Sequence, residues 1–197
     1  MVLCGGKGQR LKPITEKIPK PLVNIGEEPI LSHQIKYLFS NGIKKIVIAT
    51  GYKSRLIEQF LSNHFNDLDI RVVNSGDVDI ISRIKDCKKY LDKKFLICYG
   101  DTLADINIEK LNKFHNSHKA AVSVCSYQME SQFGILISDH NNRVLDFSEK
   151  PKLDAWINIG YFIFENTIDI KENSFIDFIK KLVTTKNIFC YKHKGLH

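Results

Sequence analysis

The sequence predicts an α/β fold, with a doubly wound, mostly parallel sheet and an α+β elaboration in the second half of the chain. In the first half, short apolar runs alternate with segments of helical periodicity, a pattern typical of strands joined by crossover helices. All four early strands end in glycine, where backbone can approach a ligand closely. Beyond residue 101, strand-like runs succeed one another with few helical periods between them.

The first half, about residues 1–110, begins with a strand at Met1–Cys4. Pro29 then starts a helix with one apolar stripe, and Gly42 ends it. Buried strands and amphipathic helices alternate through the rest of this half: strand Lys44–Thr50, a helix around Leu56–Leu61, strand Asp69–Asn74, a helix over Ile80–Leu91 and strand Lys94–Asp101. The glycines that end the four strands are Gly5, Gly51, Gly76 and Gly100.

The second half, about residues 111–197, is rich in strand-like segments: Ala120–Tyr127, Phe133–Ser138, Arg143–Pro151 and Trp156–Phe164. A helix over Phe175–Val183 and a strand at Asn187–His193 complete the order. No internal repeat, low-complexity tract or linker divides the chain, so the sequence predicts a single domain over residues 1–197.

The composition favours a protein with anionic partners, because the formal net charge is +7. The lysines are spread along the chain without a nucleic-acid motif, so no nucleic-acid partner is expected. No apolar run approaches the ~20 residues that cross a bilayer, so no membrane partner is expected either. The five cysteines have neither disulfide nor zinc spacing and lie mostly in apolar segments, which predicts small core residues and a cytoplasmic location.

The connection after the first strand carries the strongest motif. It reads GGKGQRLKPIT over Gly5–Thr15 and PKPL over Pro19–Leu22. The Walker pattern is excluded because Gly8 is followed by Gln9, and the dinucleotide fingerprint is excluded because Leu11 stands where a third glycine is needed. A glycine-rich connection that also carries an arginine and a lysine between two prolines indicates a loop that binds phosphates.

This loop resembles the signature of the sugar-nucleotide pyrophosphorylases, nucleotidyltransferases that form nucleoside-diphosphate sugars. The resemblance runs over nearly the whole chain and is strongest to the glucose-1-phosphate cytidylyltransferase branch, through Cys98–Ile108 and Arg83–Lys85. It implies a Rossmann-like nucleotidyltransferase fold, in which the first half binds the nucleotide and the second half binds the acceptor. Further segments similar to that family follow in the same order: Tyr99–Leu111, Phe133–Ile137, Val144–Pro151 and Trp156–Phe164.

The implied reaction needs positioning and charge neutralisation more than proton transfer. A phosphate oxygen of the acceptor attacks the α-phosphorus of CTP and pyrophosphate leaves; since a phosphate monoester has a second pKa near ~6, no general base is required. Arg10, Lys20 and Asp101 are the expected catalytic residues, with Arg10 on the departing phosphates, Lys20 near the α-phosphate and Asp101 on Mg²⁺. The alternatives are a surface ion pair for Arg10 and a turn or helix-cap carboxylate for Asp101.

The resemblance also implies a set of nucleotide-binding residues, most of which lie in the glycine-rich loop or at the ends of strands. They are Leu3, Gly5, Gly6, Lys7, Gly8, Gln9, Arg10, Lys20, Ser75, Arg83 and Gly100. The expected partners are CTP and a phosphorylated small-molecule acceptor, with Mg²⁺ as cofactor and a homodimer as the candidate assembly.

On the acceptor side, Glu149, Lys150 and Asn158 match the family's positions; Lys150 would hold the acceptor phosphate and the other two its polar body. The family's glycine pairs are replaced by Ile81-Ser82 and by Ile159, and a β-branched side chain there would fill the space of a sugar ring. This predicts an acceptor other than a hexose phosphate, namely L-glutamine phosphate giving CDP-L-glutamine. Glucose 1-phosphate, with local repacking, is the alternative.

The family usually brings a second metal-binding aspartate from a segment just after Tyr191–Gly195, and this sequence ends at His197. We therefore expect either a chain cut short or a metal whose coordination phosphates and water complete. Two other classes of function stay open at this stage: a catalytically silent nucleotide-binding regulator and a basic nucleic-acid binder.

Overall fold

The computed structural model describes all 197 residues and contains one sheet of seven strands and two small two-stranded sheets. The strands are β1 Val2–Cys4, β2 Asn24–Ile25, β3 Glu28–Pro29, β4 Lys45–Thr50, β5 Asp69–Asn74, β6 Lys94–Tyr99, β7 Val122–Glu130, β8 Ile135–Ser138, β9 Val144–Ser148, β10 Lys152–Glu165 and β11 Ile188–His193. The helices are α1 Ile14–Lys17, α2 Ile30–Ser40, α3 Ser54–His64, α4 Ile80–Cys87, α5 Ile108–Asn116 and α6 Phe175–Thr184.

The main sheet has the strand order β11-β7-β10-β6-β1-β4-β5. Strands β6, β1, β4 and β5 are parallel neighbours. Strand β10 runs antiparallel between β6 and β7, and β11 is parallel to β7. The mostly parallel sheet is therefore confirmed, and the second half of the chain extends that same sheet.

Helices cover both faces of the sheet, as a doubly wound fold requires. On one face the apolar side chains of α2, α3 and α5 pack against the strands, with Leu31, Ile57 and Leu111 fully buried. On the other face α4 and α6 form a second core, in which Ile84 and Phe178 pack with strand residues. Strands buried on both faces read as continuous apolar runs, which is why they were visible in the sequence.

The structure differs from the prediction in the connections. Helix α5 was not predicted; it begins after Asn107, whose side chain accepts a hydrogen bond from the N–H of Lys110. The helix predicted to reach Leu91 ends at Cys87 and continues as a 3₁₀ turn, Lys88–Tyr90. Strands β8 and β9 pair only with each other, as a hairpin outside the main sheet.

The cysteines are unpaired, and four of the five are buried in the core, as predicted. Burial raises the pKa of Cys87 to about 11 and that of Cys98 to about 12, so these thiols stay protonated at neutral pH. None of the helices combines the length and the apolar character needed to span a bilayer.

Strand β1 lies between β4 and β6, so the loops that follow these three strands meet at one edge of the sheet. Gly5, Gly51 and Gly100 all stand at this edge, immediately after their strands. This arrangement brings the glycine-rich loop and Asp101 together.

The stacking of α6 on the sheet gives a first test. Phe178 is 1% exposed and its ring stacks on Phe164, with the centroids 6.0 Å apart. Phe178→Ala leaves a cavity in the second core, so we expect the free energy of unfolding to fall by about 3–5 kcal/mol in urea denaturation. Ile176→Ala, in the same helix at a side chain 65% exposed, is the control and changes it little. Equal effects of the two substitutions would show that α6 does not pack as described.

Candidate active site

A cavity of about 550 Å³ opens at the carboxyl ends of β1 and β6. Its walls come from the glycine-rich loop, from the segment before α4 with its first turns, and from the turn after β6. The lining residues are Leu3, Cys4, Gly5, Gly6, Lys7, Gly8, Gln9, Arg10, Leu11, Lys20, Pro21, Asp77, Val78, Ile80, Arg83, Tyr99, Gly100 and Asp101.

The shape of the loop depends on Gly8 and Thr15. Gly8 has φ +61, and a Cβ at this position would lie 2.8 Å from Cγ2 of Thr15. The hydroxyl of Thr15, which is buried, donates a hydrogen bond to the carbonyl of Gly8 at 3.0 Å. A side chain at residue 8 would therefore be strained by its backbone and would clash, so glycine is required there. The fixed turn carries Arg10 to the cavity in a 3₁₀ turn, Gln9–Leu11.

Lys20 and Asp101 meet across the cavity. The Nζ atom of Lys20 lies 2.5 Å from Oδ2 of Asp101, and both side chains are partly exposed. These two residues are far apart in the chain, and the adjacency of β1 and β6 brings their segments together. All three predicted catalytic residues, Arg10, Lys20 and Asp101, line this one cavity.

The carboxylate of Asp101 is suited to a Mg²⁺ ion that takes its other ligands from a bound phosphate compound. Mg²⁺ is commonly held by one or two carboxylates, with substrate phosphates and water as its other ligands. Asp101 presents its carboxylate to the cavity, and no group of three or more His, Cys, Asp or Glu side chains forms a closed metal site in the chain. A single carboxylate fits an ion whose remaining ligands come with the substrate.

Arg83 is a buried residue beneath the cavity, and it connects three of the segments around it. Its side chain is only 4% exposed, and its guanidinium donates to three backbone carbonyls: Thr50 at 2.5 Å, Val78 at 3.1 Å and Gly5 at 3.2 Å. These carbonyls lie at the end of β4, in the loop before α4 and at the end of β1. Burial lowers the pKa of Arg83, while nearby aspartates oppose the shift, and an arginine keeps its charge. One cation thus ties three loops together.

Two of the strand-end glycines make room for this guanidinium. A Cβ on Gly5 would overlap the guanidinium carbon and nitrogens of Arg83, and a Cβ on Gly51 would meet the same group and the carbonyl of Gly76. These glycines are therefore needed for the close approach of the Arg83 side chain, whether or not a ligand also approaches them. Arg83 also lines the cavity, and its three bonds leave two of the five guanidinium N–H donors. Its role as a nucleotide contact stays a prediction.

A second charged pair lies at the rim of the cavity. Lys7 Nζ is 2.5 Å from Oδ2 of Asp77, and both side chains are exposed. An exposed pair of this kind contributes little to stability, so Lys7 can exchange Asp77 for another anion at small cost. Asp77 was not among the predicted site residues.

Sequence reasoning also missed Gln34, which is fully buried in α2. Its Nε2 donates to the carbonyl of Tyr99 at 2.8 Å and to that of Thr102 at 3.3 Å. These carbonyls flank Gly100 and Asp101, so the amide fixes the turn that presents the carboxylate. The signal in the sequence was a polar residue next to the apolar stripe of α2.

Four predicted residues lie outside the lining of this cavity: Ser75, Glu149, Lys150 and Asn158. The Oγ atom of Ser75 is buried without a hydrogen-bond partner. Glu149 and Lys150 are exposed in the segment that joins β9 to β10. The Oδ1 atom of Asn158 accepts from the N–H of Gly160 at 2.8 Å, and Gly160 packs against Tyr99 of the cavity wall.

Ile81 and Ile159 do not fill the space of a sugar ring in the cavity, contrary to the prediction. Ile81 is 0% exposed in the core formed with α4, and Ile159 is 2% exposed in the core on the opposite face of the sheet. Neither side chain lines the cavity. An isoleucine in place of glycine here adds to the core, because the side chain points away from the site.

One known protein family matches most of the chain. The sequence profile of the family described as nucleotidyl transferase matches residues 1–186. The chain belongs to this family. It is therefore an enzyme that transfers a nucleotidyl group with release of pyrophosphate, and a nucleoside triphosphate is its donor.

Two curated relatives of this nucleotidyltransferase are particularly similar. A probable glucose-1-phosphate cytidylyltransferase of Bacillus subtilis is 34% identical over 186 residues, covering 83% of this chain and 73% of the relative. The glucose-1-phosphate cytidylyltransferase of Salmonella typhimurium is 32% identical over 200 residues, covering 88% and 77%. Among solved structures, HddC from Yersinia pseudotuberculosis superposes with a TM-score of 0.77 at 26% identity, covering 98% of this chain and 89% of HddC. The predicted nucleotidyltransferase fold is confirmed.

The role of Arg83 can be tested through stability. Arg83→Met keeps the stem but leaves the carbonyls of Gly5, Thr50 and Val78 without their donor. We expect the free energy of unfolding to fall by about 3 kcal/mol or more, because each unsatisfied buried group costs about 1–3 kcal/mol. Arg55→Met, on the exposed face of α3, is the matched control. If urea denaturation gave the same stability for both variants, the three hydrogen bonds of Arg83 would not hold the loops together as described.

Proposed function

We propose that this nucleotidyltransferase transfers CMP from CTP to a small phosphorylated acceptor. An oxygen of the acceptor phosphate forms a bond to the α-phosphorus while the bond to pyrophosphate breaks. The observation that carries this proposal is the meeting of Arg10, Lys20 and Asp101 at one cavity beside the glycine-rich loop. Reacting groups that are all anionic need cations beside them, and Arg10, Lys20 and a metal ion held by Asp101 would supply these.

Each residue of the site has a distinct task in this proposal. The backbone N–H groups of Gly6–Gly8 cradle the triphosphate, and Arg10 binds the departing phosphates through its fork of donors. Lys20 places its ammonium beside the α-phosphate. Asp101 would hold Mg²⁺, which when bound neutralises charge on the phosphate oxygens.

The choice of CTP rests on similarity. Both curated relatives described above carry cytidylyltransferase names, and both cover more than four fifths of this chain. The free N–H donors of Arg83 and the turn after β6 are the elements that we propose to face the base.

For the acceptor we propose L-glutamine phosphate, which would make the enzyme a CTP:phosphoglutamine cytidylyltransferase, as in the pathway that adds O-methyl phosphoramidate to capsular polysaccharide. The support is the difference in sequence from the family at Ile81-Ser82, before Arg83, and at Ile159 in the acceptor segment. Because both isoleucines are buried, this support is a difference in sequence and not in the free space of the site.

Lys150 would bind the acceptor phosphate, while Glu149 and Asn158 would bind the polar body of the acceptor. For Lys150 and Glu149, this proposal requires the segment after β9 to move a short distance toward the cavity.

Glucose 1-phosphate is the second candidate. The names of both curated relatives favour it. The burial of Ile81 and Ile159 favours it as well, since these side chains leave the space of a sugar ring free.

A panel of four nucleotides against both acceptors tests the proposal. We expect pyrophosphate release with CTP, Mg²⁺ and L-glutamine phosphate, with slower reactions for UTP, GTP and dTTP. Loss of turnover in EDTA and its return with Mg²⁺ is the control for metal dependence. Equal rates with all four nucleotides would refute the preference for CTP, and turnover with glucose 1-phosphate alone would transfer the assignment to the second candidate. Tight CTP binding without any product would favour a regulator.

The catalytic assignments predict that Arg10→Ala and Asp101→Asn each slow turnover by about 10²-fold, the scale for loss of one transition-state partner. Lys12→Ala and Asp92→Asn are the matched controls; both positions are exposed and lie outside the cavity lining. Steady-state kinetics of folded, purified variants give the answer. Near-normal rates for Arg10→Ala and Asp101→Asn would remove these residues from the mechanism.

A further inference from the structure

A second cavity of about 600 Å³ lies beside β10, β7 and β11, the three strands at one side of the main sheet. We call it the Trp156 pocket. Its lining residues are Tyr127, Gln128, Lys152, Trp156, Lys192, His193 and Lys194. No carboxylate is among them.

The Trp156 pocket is cationic, and two of its lysines are not paired with a carboxylate. Lys192 and Lys194 form no salt bridge in the structure, whereas Lys152 lies 3.6 Å from Glu130 and His193 lies 3.0 Å from Asp105. The ammonium of Lys192 lies 4.7 Å from the centroid of the Trp156 ring. A ring face orients an ammonium without using its N–H groups, so Lys192 keeps its donors for a ligand.

The strand register connects this pocket to Asn158, a residue proposed to bind the acceptor. Asn158 of β10 pairs with Ser126 of β7, and Ser126 pairs with Lys192 of β11. Paired residues of neighbouring strands point to the same face, so these three form one row. The row spans two strand spacings, about 10 Å. Its Asn158 end adjoins Gly160, which packs on Tyr99 of the nucleotide cavity.

From this row we infer that the Trp156 pocket binds a carboxylate of the acceptor, at the end of the acceptor away from its phosphate. The inference rests on the proposed nucleotidyl transfer to a phosphorylated acceptor. Two unpaired ammonium groups beside an aromatic wall suit an anion, because charge-assisted hydrogen bonds are stronger than those to neutral hydroxyls. The hydroxyl groups of a hexose offer these ammonium groups no charged partner, whereas L-glutamine phosphate carries an α-carboxylate.

The test uses two acceptors that differ only in this group, L-glutamine phosphate and its α-carboxamide. For the wild-type enzyme we expect kcat/KM to be about 10-fold or more higher with the carboxylate, the scale of one charged hydrogen bond. Lys192→Gln removes this preference and leaves the KM for CTP unchanged, while Lys192→Arg keeps the charge and retains the preference. Lys180→Gln, on the exposed face of α6, is the control.

Calorimetric titration of L-glutamine phosphate without CTP separates this inference from the proposed function. If wild-type enzyme turns over L-glutamine phosphate but Lys192→Gln leaves the carboxylate preference intact, the inference is overturned and the function stands. If no acceptor reacts but Lys192→Gln weakens binding by about 10-fold, the proposed function fails, and the Trp156 pocket remains a binding site for this carboxylate. Absence of binding, or equal affinities of wild type and Lys192→Gln in that case, overturns the inference.

Discussion

The buried guanidinium of Arg83 is the interaction on which the rest of the site depends. It joins the ends of β1 and β4 to the loop before α4, and the glycines at residues 5 and 51 exist in part to admit it. A buried charge of this kind is stable only where hydrogen bonds replace its water. The hydrogen bonds of Arg83 therefore fix the floor of the cavity. The glycine-rich loop lies above this floor and carries Arg10 and Lys20.

The charges above this floor are already arranged in pairs. Lys20 contacts Asp101 and Lys7 contacts Asp77, so the repulsion among the loop cations is partly offset in the absence of substrate. In the proposed function, a triphosphate would give both lysines new partners, and Mg²⁺ would be held by Asp101. Binding would then exchange one set of ion pairs for another, with little reorganisation of the fold.

Most of the fold could be predicted because the parallel strands are buried on both faces and read as apolar runs. The long loop and Asp101 were also predictable, since both follow strands whose ends meet at one edge. Side-chain direction was not. The sequence shows that Ile81 and Ile159 replace glycine but not that both point into the core, and Gln34 acts through a turn distant in the chain. Short connections such as α5 depend on single capping residues, whose signal is weak.

The most direct test of this account is a crystal structure of the enzyme with CTP and Mg²⁺. The account requires the triphosphate to lie along Gly6–Gly8, with the metal on the carboxylate of Asp101 and Arg10 on the terminal phosphates. The guanidinium of Arg83 must stay on the carbonyls of Gly5 and Thr50. A triphosphate bound elsewhere, or a metal without Asp101 among its ligands, would contradict it.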